Sequence, residues 1–396
     1  MKTFSYVASD INGKIVKGRE FAEDYRDLTE KLKAKNLFLT KYRDIEEQKA
    51  PDVKYKFKTK DLAFISRQLS SMLSAGLTLV RALQILHTQQ ENKKAKQILL
   101  DIYEDVQKGK SFSQALSERP GVFPGLFISM VNAGETAGSL DTIMLRLADH
   151  YAKEHKINNK IKSSMTYPII LSILSVCIVI ALFVFVMPTF KSMMSGDIPA
   201  LSAFVMGISD FLIDKWPIIL VVLVILIVSI KVMLKVDAVR LKFDRFKLRI
   251  PKAGKLIGTI YTGRFSRTMS NLYASGIPMV DCIEKSVSTL NNAYISSEFA
   301  TVIENVKQGE SLSTAIARTG IFDSLFTSIV YVGEESGTLD SILEKTADYY
   351  EEESETAIGK LVSMIEPLLI IFLGIGIGIV LVGLYPMIFS SYNAIA

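Results

Sequence analysis

Three stretches of this chain carry no charged side chain for long enough to cross a bilayer, and they constrain its fold more than any other feature. The run from Pro168 to Phe190 is uncharged throughout. At 1.5 Å per residue, a helix of that length crosses a hydrocarbon core of about 30 Å. With no water in the bilayer core to satisfy backbone N–H and C=O groups, such a run folds as a helix. From Pro367 the chain is uncharged to its end, and the apolar part runs to about Phe389. The stretch from Trp216 to Ile230 is shorter. It reaches spanning length if Lys215, Lys231 and Lys235 extend to the interfaces; otherwise it reads as a buried core helix.

Hydrophobic residues make up 49% of the 396 residues and charged ones 22%. That mixture fits a membrane protein with large water-facing parts. Lysines 153, 156, 160 and 162 precede the first span, and a basic run from Lys231 to Lys255 follows the second. The segment between the two spans is slightly acidic. The positive-inside rule therefore puts both basic flanks in the cytoplasm, the 191–214 segment outside and the C-terminus outside. The acidic flank of the third span (Glu351, Glu352, Glu353, Glu355) departs from the simple pattern, but acidic residues weigh little in that rule. The N-terminus shows no apolar run of signal-peptide type, so insertion is expected through an internal span. The two cysteines, Cys177 and Cys282, suggest no disulfide framework, and they fit a reduced, cytoplasm-facing context. Two thiols and three histidines do not suggest a zinc site.

The chain repeats itself. Residues 66–76, SRQLSSMLSAG, align with 266–276, SRTMSNLYASG, and GKSFSQAL from Gly109 aligns with GESLSTAI from Gly309. Further on, GVFPGLFISMVNAGETAGSLD from Gly121 aligns with GIFDSLFTSIVYVGEESGTLD from Gly320, one residue closer. Pro168 then pairs with Pro367, each opening an apolar run. The period is far too long for a solenoid and reads as one duplicated module, a helical domain followed by a span. The extra second span gives both copies one orientation, unlike an inverted repeat.

Within each copy, apolar residues at helical spacing predict about six short helices, the last running toward the membrane. Gly76 and Gly276 suit a helix stop, as do Gly134 and Gly333. Ser111 with Gln114 suggests a capping box, and Ser311 its counterpart. Ser139 and Thr338 suit the next N-cap, with Asp141 and Asp340 near the positive helix end. The first residues alternate apolar and polar around Asn12-Gly13, a hairpin signal, and a helix and extended tail follow.

The fold expected is an all-α integral membrane protein. A small N-terminal α/β element (1–50) and a basic linker (51–59) precede cytoplasmic repeat 1 (60–165), a span (166–190) and an external loop (191–214). A second span (215–236), a basic cytoplasmic linker (237–259), cytoplasmic repeat 2 (260–364), a third span (365–390) and an external tail (391–396) complete it.

At this point the sequence resembles the platform family of type II secretion (protein F) and type IV pili (protein C). KIKSSMTYP from Lys160 leads into a run ending Val186-Met187-Pro188. AGETAGSLD and its twin VGEESGTLD resemble the family's paired Gly-Glu-x-x-Gly-x-Leu motifs, and Ile365-Glu366-Pro367 with LLIIFLGIGIGIV resembles its last span. The Phe-x-Tyr-x-Ala start also fits. The likeness covers nearly the whole chain. It implies two cytoplasmic six-helix domains and three spans in a bacterial inner membrane. It also implies self-association as a homodimer or larger oligomer, contact with a hexameric assembly or secretion ATPase, handling of pilin or pseudopilin subunits, and other inner-membrane assembly partners. It implies no direct nucleic-acid contact. Pilus, secretion and competence machines would all use such a platform.

No Gly-x-x-x-x-Gly-Lys-Ser/Thr loop or His-Glu-x-x-His run is present, and His87, His150 and His155 form no catalytic or ligand pattern. The expectation is a protein that is no enzyme, with no cofactor, metal or catalytic residue. An oligomeric transporter or channel is the rival reading, disfavoured by three spans per chain and a parallel duplication; a membrane enzyme is the third. The candidate sites are the turns Gly134, Glu135, Gly138 and Gly333, Glu334, Gly337. Each carboxylate reads either as a partner or cation contact or as a structural turn acid. The membrane mouths Tyr167, Pro168 and Glu366, Pro367 are candidate pilin contacts, with Glu366 facing either a positive partner group or the headgroups. Gly374 and Gly378 form a Gly-x-x-x-Gly pair suited to helix packing.

Overall fold

The computed structural model describes residues 2–10, 15–22, 24–45, 55–193, 200–251 and 253–395. The expected hairpin tip at Asn12-Gly13, residues 51–54 of the 51–59 linker and part of the 191–214 segment lie outside them. The chain divides into two units, Met1–Lys56 and Phe57–Ala396.

In the first unit, β1 (Lys2–Asp10), β2 (Ile15–Ala22), α1 (Tyr25–Ala34) and β3 (Leu37–Ile45) form an antiparallel sheet in the order β2-β1-β3. Phe4, Tyr6 and Ala8 alternate along β1, so they share one face and are buried with Leu28 and Leu32 of α1. Asp24 caps that helix, accepting from the Arg26 and Asp27 amides at 2.9 Å each.

The second unit is helical and built twice. Copy one comprises α2 (Thr59–Ser74), α3 (Leu79–Gln89), α4 (Lys93–Gln107), α5 (Phe112–Ser117), α6 (Gly125–Ala137) and α7 (Leu140–Ala181). A π-helical turn, Leu182–Val186, and α8 (Met187–Met193) extend α7. Next come α9 (Ala200–Asp214), α10 (Trp216–Met233) and α11 (Asp237–Arg249). Copy two repeats the six-helix pattern as α12 (Ala253–Tyr273), α13 (Met279–Leu290), α14 (Ala293–Lys307), α15 (Leu312–Ala317), α16 (Ser324–Ser336) and α17 (Leu339–Ser363), followed by α18 (Ile365–Ile395).

Apolar residues at helical spacing turn inward in each copy. In the first copy Leu62, Ile65 and Leu69 of α2, Leu83 and Leu86 of α3, Leu99 and Ile102 of α4, and Phe127 of α6 are all buried. Phe265, Phe299, Phe322 and Phe326 form an aromatic cluster in the other, with ring centroids 5.0–6.1 Å apart. Burying each such side chain contributes roughly 1.5–3 kcal/mol.

Three helices are long and apolar enough to cross a membrane: α7 with its extension, α10, and α18 continuing from α17. Two segments read as connections carry helices. In 191–214, α9 packs Val205 and Met206 against Phe183, Met187, Val380 and Leu384 at the end of the spans remote from the bundles. In 237–259, α11 packs on α12 and α14.

At the π turn one carbonyl lacks its backbone donor. A π register would send the Phe183 carbonyl to the amide of residue 188, but that residue is proline and has no N–H. Ser209 of α9 donates to this carbonyl instead, at 2.5 Å, and Ser202 donates to the Gly383 carbonyl of α18 at 2.7 Å. Two buried hydroxyls thus pin α9 to both neighbouring spans.

Candidate functional site

The duplicated Gly-Glu turns make the same hydrogen bonds twice. Glu135 accepts from the Phe112 and Ser113 amides at 2.5 and 2.8 Å, and Glu334 accepts from the Leu312 and Ser313 amides at the same distances. Each carboxylate therefore caps a one-and-a-half-turn helix from outside it, where unsatisfied N–H groups and the helix dipole favour negative charge. Ser111 and Ser311 add their own caps to the Gln114 and Thr314 amides.

The glycines divide their work differently from the sequence expectation. Gly134 and Gly333 do not end a helix. They lie inside α6 and α16, where an added Cβ would fall 2.9 Å from Ile143 and 3.1 Å from Leu339. Small size lets the sixth helix of each bundle approach the fifth. The stops are Gly138 and Gly337, with φ of 68° and 66°, a left-handed conformation that glycine adopts without strain. Ser139 and Thr338 hold the N-cap places, but neither side chain makes a capping bond.

The two bundles meet along α7 and α17, and charge joins them. Lys153 pairs with Asp348 at 2.6 Å and reaches Glu351 at 3.6 Å; Lys156 pairs with Glu355 at 2.6 Å. Arg264 donates to Asn158 at 3.1 Å. Arg267 of α12 forks onto Glu351 at 2.9 Å and also donates to Asp348. Burial opposes the charge on Arg267, but the bonds to Glu351 and Asp348 outweigh it and raise its pKa. Burial likewise pushes Asp348 up, while bonds from Lys153 and Arg267 win and hold it below the usual carboxylate range. A cavity of about 330 Å³ opens between these groups. His150 lies buried in the same joint, its Nδ1 3.3 Å from the Asn271 amide nitrogen. Burial first, then Arg267, Arg264 and Lys153, push it down to about 4.

At the membrane mouths the copies differ. Pro168 is buried inside unbroken α7, while Tyr167 is exposed. In copy two the helix breaks at Met364, and Pro367 falls in the first turn of α18, where no amide donor is needed. Glu366 and Pro367 are both exposed, and no described basic group pairs with Glu366. Of the span glycines, Gly374 and Gly378 face open space. The close approaches fall at Gly376, where a Cβ would meet Val179 at 2.7 Å, and at Gly383, where it would meet Val205 at 2.9 Å. The Gly-x-x-x-Gly spacing therefore does not mark the contact.

The family described as "Type II secretion system (T2SS), protein F" matches residues 65–188 and again 265–386, each match running from the first bundle helix to the end of a span. The chain is 35% identical, over the whole of both chains, to the type IV pilus assembly protein PilC of Thermus thermophilus. It is 31% identical over 98% of each chain to the type II secretion system protein F of Vibrio cholerae. With the PilC protein of Myxococcus xanthus the identity is 32%, over 85% of this chain and 81% of that one.

The chain belongs to the type II secretion system protein F family. The doubled family match coincides with the doubled bundle, and the names of these relatives describe assembly and secretion, not a reaction. Among the described residues of this family member, no group of His, Cys, Asp and Glu is arranged to hold a metal ion. Cys282 is buried, which pushes its thiol up to about 12, and Cys177 lies in a span.

The fold does not gather the sequence-derived candidates into one place. The two Gly-Glu turns serve separate bundles, and the two mouths lie at separate spans. The residues that do converge, Lys153, Lys156, Arg267, Asp348, Glu351 and Glu355, escaped the sequence reading as a group. One signal was present: where copy one has Lys153 and Lys156, the equivalent places in copy two hold Glu352 and Glu355.

Proposed function

We propose that this chain is the inner-membrane platform of a type IV pilus or type II secretion machine, coupling a cytoplasmic hexameric ATPase to polymerisation of pilin or pseudopilin subunits. One observation carries the reading. The bundles are clamped to each other by the α7–α17 seam, and α7 passes from bundle into span without a break. A push or twist applied to either bundle reaches the bilayer with little flexible joint to absorb it. The names of the relatives, pilus assembly and secretion, support the same role.

In this reading both bundles face the cytoplasm, in keeping with the basic flanks of α7 and α11, and the C-terminus is external. The Gly-Glu turns hold the bundles in shape. Glu366 is the acid offered to a positive group on a pilin helix, with Pro367, Tyr167 and Pro168 framing the two mouths. The chain acts as a homodimer or larger oligomer.

Photo-crosslinking groups placed at exposed Tyr331 and at exposed Phe64, in cells making fibres, test the coupling. The expected result is capture of the ATPase in a nucleotide-dependent manner. Absence of capture in every nucleotide state, from both bundles, overturns it. Glu366→Gln should lower fibre assembly with insertion and abundance unchanged; normal assembly would remove the pilin contact.

A further inference from the structure

Only three residues separate the end of α10 from the start of α11, so α11 begins close to the bilayer surface. Its charges are sorted by face. Asp244 points inward, with its side chain 5% exposed; it accepts from the Ala293 amide at 2.9 Å and pairs with Lys247 at 2.8 Å. Asp237 stands at the helix start, where the dipole favours it. Lys242, Arg245 and Arg249 point outward, and Lys255 follows at the start of α12. Among the described residues, no carboxylate pairs with any of these four. Between them, Phe243 and Phe246 are 39% and 61% exposed. Exposed rings set among bases are costly against water but suit a lipid interface.

Three of these bases, Arg245, Arg249 and Lys255, line a cleft of about 550 Å³ between α11 and the second bundle, with Thr259, Tyr294 and Asp323, while Lys242 stands on the exposed edge of α11. The Arg245 guanidinium lies 5.3 Å from the centre of the Tyr294 ring. Among the described residues Asp323 is the one carboxylate in the lining, set against three bases, so the cleft keeps a positive balance; that carboxylate accepts from the Phe326 amide at 2.8 Å and the Tyr350 hydroxyl at 2.5 Å.

The register of α12 against α17 sets the height of the cleft. The two helices run antiparallel: Ser270 meets Asp340, Arg267 meets Asp348 and Glu351, and Gly263 abuts Tyr350. Eight residues before Gly263, Lys255 is level with about Ile358. From there to the start of α18 at Ile365 is about 10 Å at 1.5 Å per residue, comparable to the screening length at physiological salt.

We propose that this basic cleft and the aromatic edge of α11 bind the phosphate headgroup of an anionic glycerophospholipid from the bilayer that α10 spans. The lipid anchors the second bundle to the membrane surface at a point away from α18. This assignment rests on α10 crossing the bilayer and on no partner protein, so it stands or falls apart from the crosslinks above.

The chain has a single tryptophan, Trp216. Full-length protein carrying Phe246→Trp in a Trp216→Phe background, reconstituted in phosphatidylcholine vesicles, reports the site through quenching by brominated lipid. Brominated phosphatidylglycerol should quench more than brominated phosphatidylcholine at equal density. Exchanging Lys242, Arg245, Arg249 and Lys255 for Gln should weaken the apparent phosphatidylglycerol affinity by about tenfold or more. Exchanging Lys for Arg and Arg for Lys at the same four places should preserve it, which separates charge from damage to the fold. Equal quenching by the two lipids, or equal loss in the Gln and the charge-keeping variants, overturns the proposal. Displacement of the brominated lipid by millimolar inorganic phosphate would assign the cleft to a soluble anion and overturn it as well.

Discussion

Tyr151 and Tyr350 occupy equivalent positions in α7 and α17, yet only one finds a partner. The Tyr350 hydroxyl donates to Asp323 at 2.5 Å, and that aspartate also caps α16. The equivalent of Asp323 in copy one is Pro124, which offers no side-chain cap, and among the described residues the buried Tyr151 hydroxyl has no hydrogen-bond partner. Burial is the first cause that pushes both phenols well above their ordinary pKa, so each remains a neutral donor at any relevant pH. An unmet buried hydroxyl costs about 1–3 kcal/mol, and an N-cap contributes typically about 1 kcal/mol. Pro124→Asp should therefore stabilise the first bundle by on the order of 1–2 kcal/mol. Thermal unfolding in detergent of this variant and of Pro124→Asp with Tyr151→Phe would measure it; an equal gain in both would assign the effect to the cap alone.

At the scale of elements, the seam is a pairing of unlike helices. The ion pairs are partly exposed, Lys156 being 70% and Glu355 30% accessible at the side chain, so each is worth roughly 0.2–1 kcal/mol. Reversing one partner costs more than losing the pair. Lys156→Glu would set a carboxylate among Glu351, Glu352 and Glu355, so it should lower the melting temperature more than Lys156→Gln does. Adding Glu355→Lys should recover most of the loss, and a double-mutant cycle reads the coupling directly.

Much at this scale was legible from the sequence, and what was not has a physical reason. The three uncharged runs, the helical spacing in both copies and the alternating strand before Asn12 specify their elements locally. Helix α9 escaped because its packing partners, Phe183 and Val380, come from the two neighbouring spans; its own sequence, ALSAFVMGISDFLID, is mostly apolar but lies in a stretch that the charge pattern reads only as an external connection. Helix α11 was hidden by its bases, which read as a topogenic flank until their sorting to one face is seen. The acidic flank before α18 looked anomalous for membrane orientation because its purpose lies across the joint: Glu351 and Glu355 answer lysines on α7, nearly two hundred positions earlier in the chain. Gly134 and Gly333 were visible as glycines, but spacing alone could not distinguish a helix stop from a close crossing.

For the whole molecule, the joint between bundles should weaken in acid. The separated or unfolded imidazole of His150 takes a proton near 6.5, whereas in the joint it is held neutral down to about 4. Between those values the open state binds a proton that the closed state refuses, so stability is full above about 6.5 and falls as pH drops toward 4. Asp348, held below the usual carboxylate range by Lys153 and Arg267, keeps its pairs until lower pH still. The groups around His150, namely Arg264, Arg267, Lys153 and the Asn271 amide, supply no negative charge to rescue the imidazolium. Hydrogen exchange of α7 and α17 should therefore quicken from pH 7 to pH 5, and His150→Gln should flatten that dependence. An unchanged profile in the variant would shift the cause to the carboxylates.

The opposite charges of α7 and α17 also limit what the duplication can become. A chain made of two first modules would face lysine with lysine, and one made of two second modules would bring glutamates together. Neither half can stand in for its sibling, so drift that erases their difference is penalised. What began as repetition has become a matched left and right hand.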